Sequence, residues 1–228
     1  MKHYDLCIKC PDIAKSAEMA RQLGWAGICV LLPWDAAKPD ISKAREIAAG
    51  IKDVDVSIGI EIISQKPGQI FCRAESIRKA VEIIAARGGT PELNRSIVEC
   101  AFVDILTQPE TINNENPFNH VLAGLAKKNR VSVAFSLRPM IDSWKGKRAG
   151  VFSKLSGIAA DVRRGKCNFV LTSGALSEWD LRAPSELESF GRLLGFARPD
   201  EGLGGERLAE NRKRIFSGKW VMPGVEIE

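Results

Sequence analysis

Seven short and nearly all-apolar runs recur along this chain, each followed by an amphipathic segment. They are YDLCIKC (4–10), AGICVLLP (26–33), VSIGIEIIS (56–64), AVEIIAARG (80–88), AFVDILTQ (101–108), VSVAFSLRP (131–139) and NFVLTSGAL (168–176). A strand with one wet face alternates apolar and polar residues; one apolar throughout must be covered on both faces, which is the situation in a parallel sheet layered with helices. Parallel neighbours need long crossovers, and the intervening segments have helical spacing over 11–24, 39–53, 69–79, 91–100, 119–129, 146–166 and 185–197. Pro11 and Gly24 punctuate the first of these, and Thr90 and Pro91 open the fourth. Repeated units of this length favour closure. The expected fold is therefore α/β, a TIM-barrel-like barrel of about seven parallel strands with surrounding helices.

A length of 228 residues suits one such barrel, assigned here to 1–198. The tail, 199–228, is expected to form a helical extension packed on the barrel, with a short helix near 206–217. Apolar residues at 45% and charged residues at 27% are ordinary for a chain with a packed core. No apolar run approaches the roughly 20 residues of a membrane span, and MKHYDLCIKCPD carries no signal-peptide pattern. A cytoplasmic protein is expected. Its six cysteines, scattered through apolar segments, suit reduced thiols and no disulfide. The formal charge of +5 fits a polyanionic partner, but a metabolic enzyme can carry as much.

In a parallel barrel the functional groups sit on the loops after the strands' C-terminal ends. Those positions hold Lys9, Trp34, Asp35, Ser64 to Lys66, Arg87, Thr107 to Glu110, Arg138 and Thr172 to Arg182. Histidine is nearly missing: His3 and His120 are the only two, in no metal-binding pattern. A hydrolytic metal site needs three or more ligands, so no metal site is expected. Arginine is supplied instead at Arg87, Arg138 and Arg182, with Arg95 a turn past Pro91. Planar guanidinium forks match phosphate oxygens. The same residues also suit surface arginines paired with nearby acids, and the residues alone leave both readings open.

CIKC (7–10) has metal-ligand spacing but no second pair, and buried thiols are the better reading. GLGGER (202–207) follows no strand and reads as a turn, not a phosphate loop. Ser173 and Ser177 lack a nucleophile elbow. RPMIDSWKGKR (138–148) sets Arg138, Lys145, Lys147 and Arg148 around Trp144, a mixture of charge and aromatic face that RNA-binding surfaces use. RRGK (163–166) ends a helix, where the dipole alone favours cations.

Three blocks carry a specific resemblance: ELNRSIVECAFVDILTQPE (92–110), VAFSLRPM (133–140) followed by KRAG (147–150), and VLTSGALSEWDLRAPSEL (170–187). Together they resemble the archaeal ribonuclease P protein component 3 family, related to the 30 kDa subunit of the eukaryotic enzyme. The resemblance implies a barrel like that of the polymerase and histidinol phosphatase (PHP) metallohydrolases, with the metal ligands lost and the rim turned to RNA. It implies a subunit of the ribonucleoprotein endonuclease that removes the 5′ leader of precursor tRNA. The RNA would be the catalyst, with magnesium ions on its own phosphates and no cofactor on the protein. Implied partners are that RNA, precursor tRNA, protein component 2 as a heterotetramer, and the other protein subunits. Carried over by motif, the RNA-facing residues are Arg95, His120, Arg138, Arg148, Asp180 and Arg182, to which strand-end position adds Arg87 and the basic patch adds Lys147. Asp180 would either orient Arg182 or serve the turn. The competing reading is a free-standing metal-dependent phosphoesterase of the PHP type, with Asp5, Glu61 or Asp104 as acid/base groups or sparse metal ligands.

Overall fold

The structure is a computed structural model that describes residues 2–110, 117–216, 220–222 and 225–226. Seven parallel strands pair in chain order: β1 (Tyr4–Ile8), β2 (Gly27–Trp34), β3 (Asp55–Ile62), β4 (Ile83–Arg87), β5 (Ile105–Thr107), β6 (Ser132–Ser136) and β7 (Phe169–Thr172). The helices α1 (Ile13–Gln22), α2 (Ile41–Ala49), α3 (Pro67–Ile77), α4 (Pro91–Glu99) and α5 (His120–Asn129) each follow a strand. A short α6 (Arg138–Asp142) precedes the long α7 (Lys145–Gly165), and α8 (Pro184–Leu193) follows β7. The chain then makes a 3-10 turn (Pro199–Leu203), α9 (Glu206–Phe216) and an antiparallel hairpin, β8 (Trp220–Met222) with β9 (Val225–Glu226).

The apolar runs are explained by two cores. Cys29 and Leu31, Ile83 and Ala85, Ala134 and Val170 fill the inside of the barrel. Their neighbours Ile28 and Val30, Ile84 and Ala86, Val133, Phe135 and Leu171 face outward into the helical layer. Each strand thus has an apolar residue for either face. Side-chain caps fix where helices begin at the rim: Asp12 accepts from the Lys15 amide, Asp40 from Ser42 and Lys43, Thr90 from Leu93, and Asn119 from Val121 and Leu122.

Two elements differ from the sequence reading. The run 101–108 is a strand only over Ile105–Thr107. Asp104 at its foot turns its carboxylate to the Ile84 amide (2.8 Å) and to Arg78 (2.6 Å), which makes it an anchor instead of a strand residue. Residues 138–142, expected as the end of the strand run 131–139 and the loop after it, form α6, where Pro139 fits a helix's first turn because its missing N–H has no partner there anyway.

The sheet does not run continuously around the barrel, because β1 and β7 are its two edges. Side chains and a turn bridge them. Asp5 accepts from Thr172 Oγ1 (2.5 Å), Ser173 Oγ (2.5 Å) and the Ser173 amide (3.0 Å), and the Lys9 amide donates to Ala175 O (2.8 Å). At the other end, His3 pairs with Gly204 in an isolated antiparallel bridge. Gly202 lets this turn lie on β7, since a Cβ there would stand 2.4 Å from the Phe169 ring.

Helix α9 plugs the end of the barrel where strands begin. Leu208 enters the interior core beside Leu6 and Cys29. Arg207 Nε and Asn211 Nδ2 both reach Asp104 Oδ1 at 3.0 Å, and Asn211 also donates to Glu82 O at 2.7 Å. Arg212 grips both oxygens of Asp55 at 2.7 Å, and Asp55 accepts from Tyr4 OH as well.

Burial pushes the Asp104 carboxyl up, but Arg78 and Arg207 pull it down further, so it stays below the ordinary carboxylate value. Its folded pKa being lower than its unfolded one, its stabilisation is present above about pH 4 and fades as pH falls through the folded value. Asp104→Asn is expected to lower stability by about 3 kcal/mol at neutral pH. Urea unfolding checks this, and the gap between variant and wild type should shrink in acid.

Candidate nucleic-acid interface

At the mouth of the barrel the centre is a buried carboxylate. Glu61, on β3, is fully enclosed and accepts from Lys9 Nζ and Thr107 Oγ1 through Oε1 and from Arg87 Nη2 through Oε2, each at 2.7 Å. Burial raises its carboxyl, but the ammonium and guanidinium outweigh burial and hold it below the ordinary value. Arg87 Nε is buried with no hydrogen-bond partner. The mouth opens into a cavity of about 440 Å³ lined in part by Lys9, Arg87, Arg138, Thr107, Thr172 and Glu110. Burial pushes the Glu110 carboxyl up to about 7, with Lys154 and Lys9 opposing the rise.

The three carboxylates of the competing reading lie apart in function. Asp5 is at the seam, with its oxygens occupied by Thr172 and Ser173; Glu61 is at the mouth; Asp104 is at the plugged end, held by Arg78, Arg207 and Asn211. Among the described residues no group of three or more His, Cys, Asp or Glu converges on a point where a metal ion could sit.

On the rim, Arg138 joins two segments. Its Nη1 donates to Asp180 Oδ2 at 2.6 Å, and its Nε lies 2.9 Å from Asp142 Oδ2. Asp180 Oδ2 also takes the amides of Leu176 (3.1 Å) and Ser177 (2.9 Å) and the Ser177 hydroxyl (3.0 Å). Burial raises the Asp180 carboxyl, but Arg138 and Ser177 bring it below the ordinary value. Asp180 is therefore the turn acid, and the guanidinium it orients is that of Arg138 instead of Arg182. Arg182 Nη1 donates to the carbonyls of Trp179 (3.1 Å) and Leu181 (2.8 Å), and the Arg182 carbonyl receives Trp25 Nε1 at 2.9 Å.

The remaining basic candidates lie outside this pairing. Lys147 and Arg148 are exposed in the first turn of α7, where Arg148 Nε reaches Ser143 O at 2.9 Å. His120 is exposed at the start of α5. Arg95 is on the outer face of α4 and pairs with Glu99, one turn on, at 3.0 Å. Its neighbour Asn94 faces inward, fully buried: it accepts from the Gly89 amide at 3.1 Å and donates to Pro109 O and Pro117 O at 2.8 Å. Asn94 thereby pins both ends of the stretch that contains residues 111–116, which lie outside the described residues.

The small residues after β7 are required by contact. Thr172 and Ser173 serve the seam, and Gly174 has a φ of +66°, with Ser136 Oγ only 2.1 Å from where its Cβ would be. CIKC splits as its alternation implies, with Cys7 in the interior core and Cys10 in the outer one. Burial pushes the Cys10 thiol up to about 11. Arg163, of RRGK, donates to the Leu194 carbonyl, and Arg164 lies 3.6 Å from Asp161. Sequence reasoning missed Asp142 and the pairing of Arg87 with Glu61. The Arg138–Asp142 spacing is a helical one, so recognising α6 would have found the first; the second joins residues 26 apart and carries no local signal.

Removing the charge of Glu61 strands two cations at the mouth. Glu61→Gln is expected to lose about 2 kcal/mol of stability, and adding Lys9→Met should recover part of it, because the leftover charge is the cause. A double-mutant cycle by urea unfolding checks both signs.

The RNase P subunit p30 family profile matches residues 2–202. Over 98% of this chain and 93% of the relative, 33% of residues are identical to ribonuclease P protein component 3 of Methanococcoides burtonii. The component of that name from Haloarcula marismortui is 31% identical over 99% of this chain and 97% of its own length. In fold, the chain resembles a chain in the cryo-EM structure of archaeal ribonuclease P with mature tRNA, with a TM-score of 0.75 over 97% of both chains at 22% identity. It also resembles histidinol phosphate phosphatase from Lactococcus lactis, with a TM-score of 0.56 over 86% of this chain and 94% of that one at 11% identity. With nearly its whole length matched, this chain belongs to the RNase P subunit p30 family.

Proposed function

We infer that this protein is a subunit of ribonuclease P and works by organising the catalytic RNA instead of reacting at its own mouth. The observation that carries this reading is the Lys9–Glu61–Arg87 cluster: the carboxylate at the centre of the mouth is consumed by two cations and a hydroxyl, and Glu110, which also lines the cavity, belongs to no group of three or more His, Cys, Asp or Glu among the described residues. A metal-dependent phosphoesterase of the competing kind needs several such groups free and converging on the ion. The exposed cations of the rim, by contrast, suit a phosphate backbone.

In this proposal, Lys147, Arg148, Arg95, His120 and Arg182 approach RNA phosphates, while Arg87, Arg138 and Asp180 hold the rim's shape through their pairs. Charge neutralisation where RNA helices crowd together would let the RNA populate its active fold at lower magnesium. The magnesium ions belong to the RNA. Protein component 2 is the proposed direct partner, as a heterotetramer, with precursor tRNA and the other subunits joining in the holoenzyme. A cytoplasmic location accords with this role, and no helix among the described residues is long and apolar enough to cross a membrane.

Reconstitution tests the reading. Cleavage of precursor tRNA at low magnesium should appear only when the cognate RNA, this protein and component 2 are combined, and the protein alone should hydrolyse no phosphoester with added divalent metal. Activity of the isolated protein would overturn the proposal. Lys147→Ala and Arg148→Ala should each lessen the salt dependence of RNA binding by about one unit of slope in log K against log salt.

A further inference from the structure

Trp144 and Trp179 are 77% and 74% exposed, more than any other large apolar side chain among the described residues. Tryptophan is usually among the better buried side chains, so two on one rim require an explanation. They are not independent loop tips. Arg138 ties their segments together, since it holds Asp142, two residues before Trp144, and Asp180, the residue after Trp179.

Both indoles are presented by fixed backbone. Trp179 sits within the 3-10 turn Glu178–Asp180, which is fixed at its start because Asp180 accepts from the Leu176 and Ser177 amides and the Ser177 hydroxyl just before it. Trp144 is the extended residue before α7; Arg148 Nε holds the Ser143 carbonyl before it at 2.9 Å, and Lys145 after it takes a φ of 47°, which is uncommon for a residue other than glycine. Among the described residues no aromatic ring stacks on either indole, and no cation lies over either one.

We propose that Trp144 and Trp179 form a stacking platform for unpaired RNA nucleotides; the proposal rests on the RNA-binding reading above. Within six residues of one or the other tryptophan the chain carries five cations, Arg138, Lys145, Lys147, Arg148 and Arg182, against three carboxylates, Asp142, Glu178 and Asp180, two of which Arg138 already holds. The first turn of α7 carries no acid and no side-chain cap, so its amides add to the positive field. Flat apolar faces among cations match a strand whose bases are splayed out and whose phosphates lie alongside. A duplex keeps its base faces stacked inside and would meet only the cations. A protein partner is disfavoured, because the centres of protein interfaces are depleted of charge, and here lysines adjoin the ring.

The test uses the full chain with a twelve-nucleotide oligouridine and a twelve-base-pair RNA duplex as probes. Trp144→Ala and Trp179→Ala should each weaken oligouridine binding about tenfold and leave duplex binding nearly unchanged. The salt slope should stay at the wild-type value, since no phosphate contact is removed. Trp144→Phe should retain most of the affinity, and oligouridine should quench indole fluorescence in the wild type more than in either alanine variant. Circular dichroism and thermal melting confirm folding of each variant. Unchanged oligouridine affinity in both alanine variants would overturn the platform, as would equal losses on both probes, or a loss confined to association with component 2. Reconstituted precursor tRNA cleavage separates the two levels. Wild-type protein that activates the RNA while the alanine variants bind oligouridine normally removes the platform and leaves the subunit reading standing; wild-type protein that adds nothing removes the subunit reading.

Discussion

The sheet's two edge strands, β1 and β7, face one another without a backbone ladder, and the hydrogen bonds between Asp5 and the Thr172–Ser173 pair are what make that tolerable. An open parallel edge exposes backbone donors and acceptors that must find partners. One buried carboxylate accepts from two hydroxyls and an amide on the opposite edge, and burial raises its pKa while those bonds lower it in part. Four residues on, the Lys9 amide donates to Ala175 O, so the same closure sets the level at which the Lys9 ammonium enters the mouth. The 3-10 turn Pro199–Leu203 completes the join from the opposite end. The TSGA block is therefore a seam first, and the turn that displays Trp179 and Arg182 is built on top of it.

How much of this was legible follows from how local each signal is. The strands, the outer helices and the barrel were readable because each depends on a run of adjacent residues with a definite apolar pattern. The strand-end arginines were readable because the fold class says where strands end. Their partners were not. Arg138 was visible as a rim cation, but its bond to Asp180 spans 42 residues, and nothing near either residue announces it. Asp104 was placed on an inner strand position because AFVDILTQ reads as one continuous strand; only the arrival of Arg207 and Asn211 from more than 100 residues away shows that it anchors α9. Arg95 shows the reverse case. It is Asn94 beside it that is buried and bonded to Pro109 O and Pro117 O, and the arginine itself points away from the mouth, toward Glu99.

Both ends of the barrel solve the same electrostatic problem in the same way. At the plugged end, Asp104 is buried between Arg78 and Arg207; at the mouth, Glu61 is buried between Lys9 and Arg87. A lone buried charge is expensive, and two cations around each carboxylate bring it below its ordinary pKa despite burial. Such a carboxylate is a poor acid and a poor base near neutrality, and its lone pairs are spent on hydrogen bonds. A parallel barrel normally keeps reactive groups at this mouth. Here the carboxylate at the centre of the mouth is neutralised where it stands, and the rim and the start of α7 carry exposed cations, among them Lys145, Lys147 and Arg148. That distribution favours a surface that grips a polyanion from outside the barrel, and it makes the stability of the mouth and the affinity of the rim separable by mutation: Glu61 and Lys9 should govern the first, Lys147 and Arg148 the second.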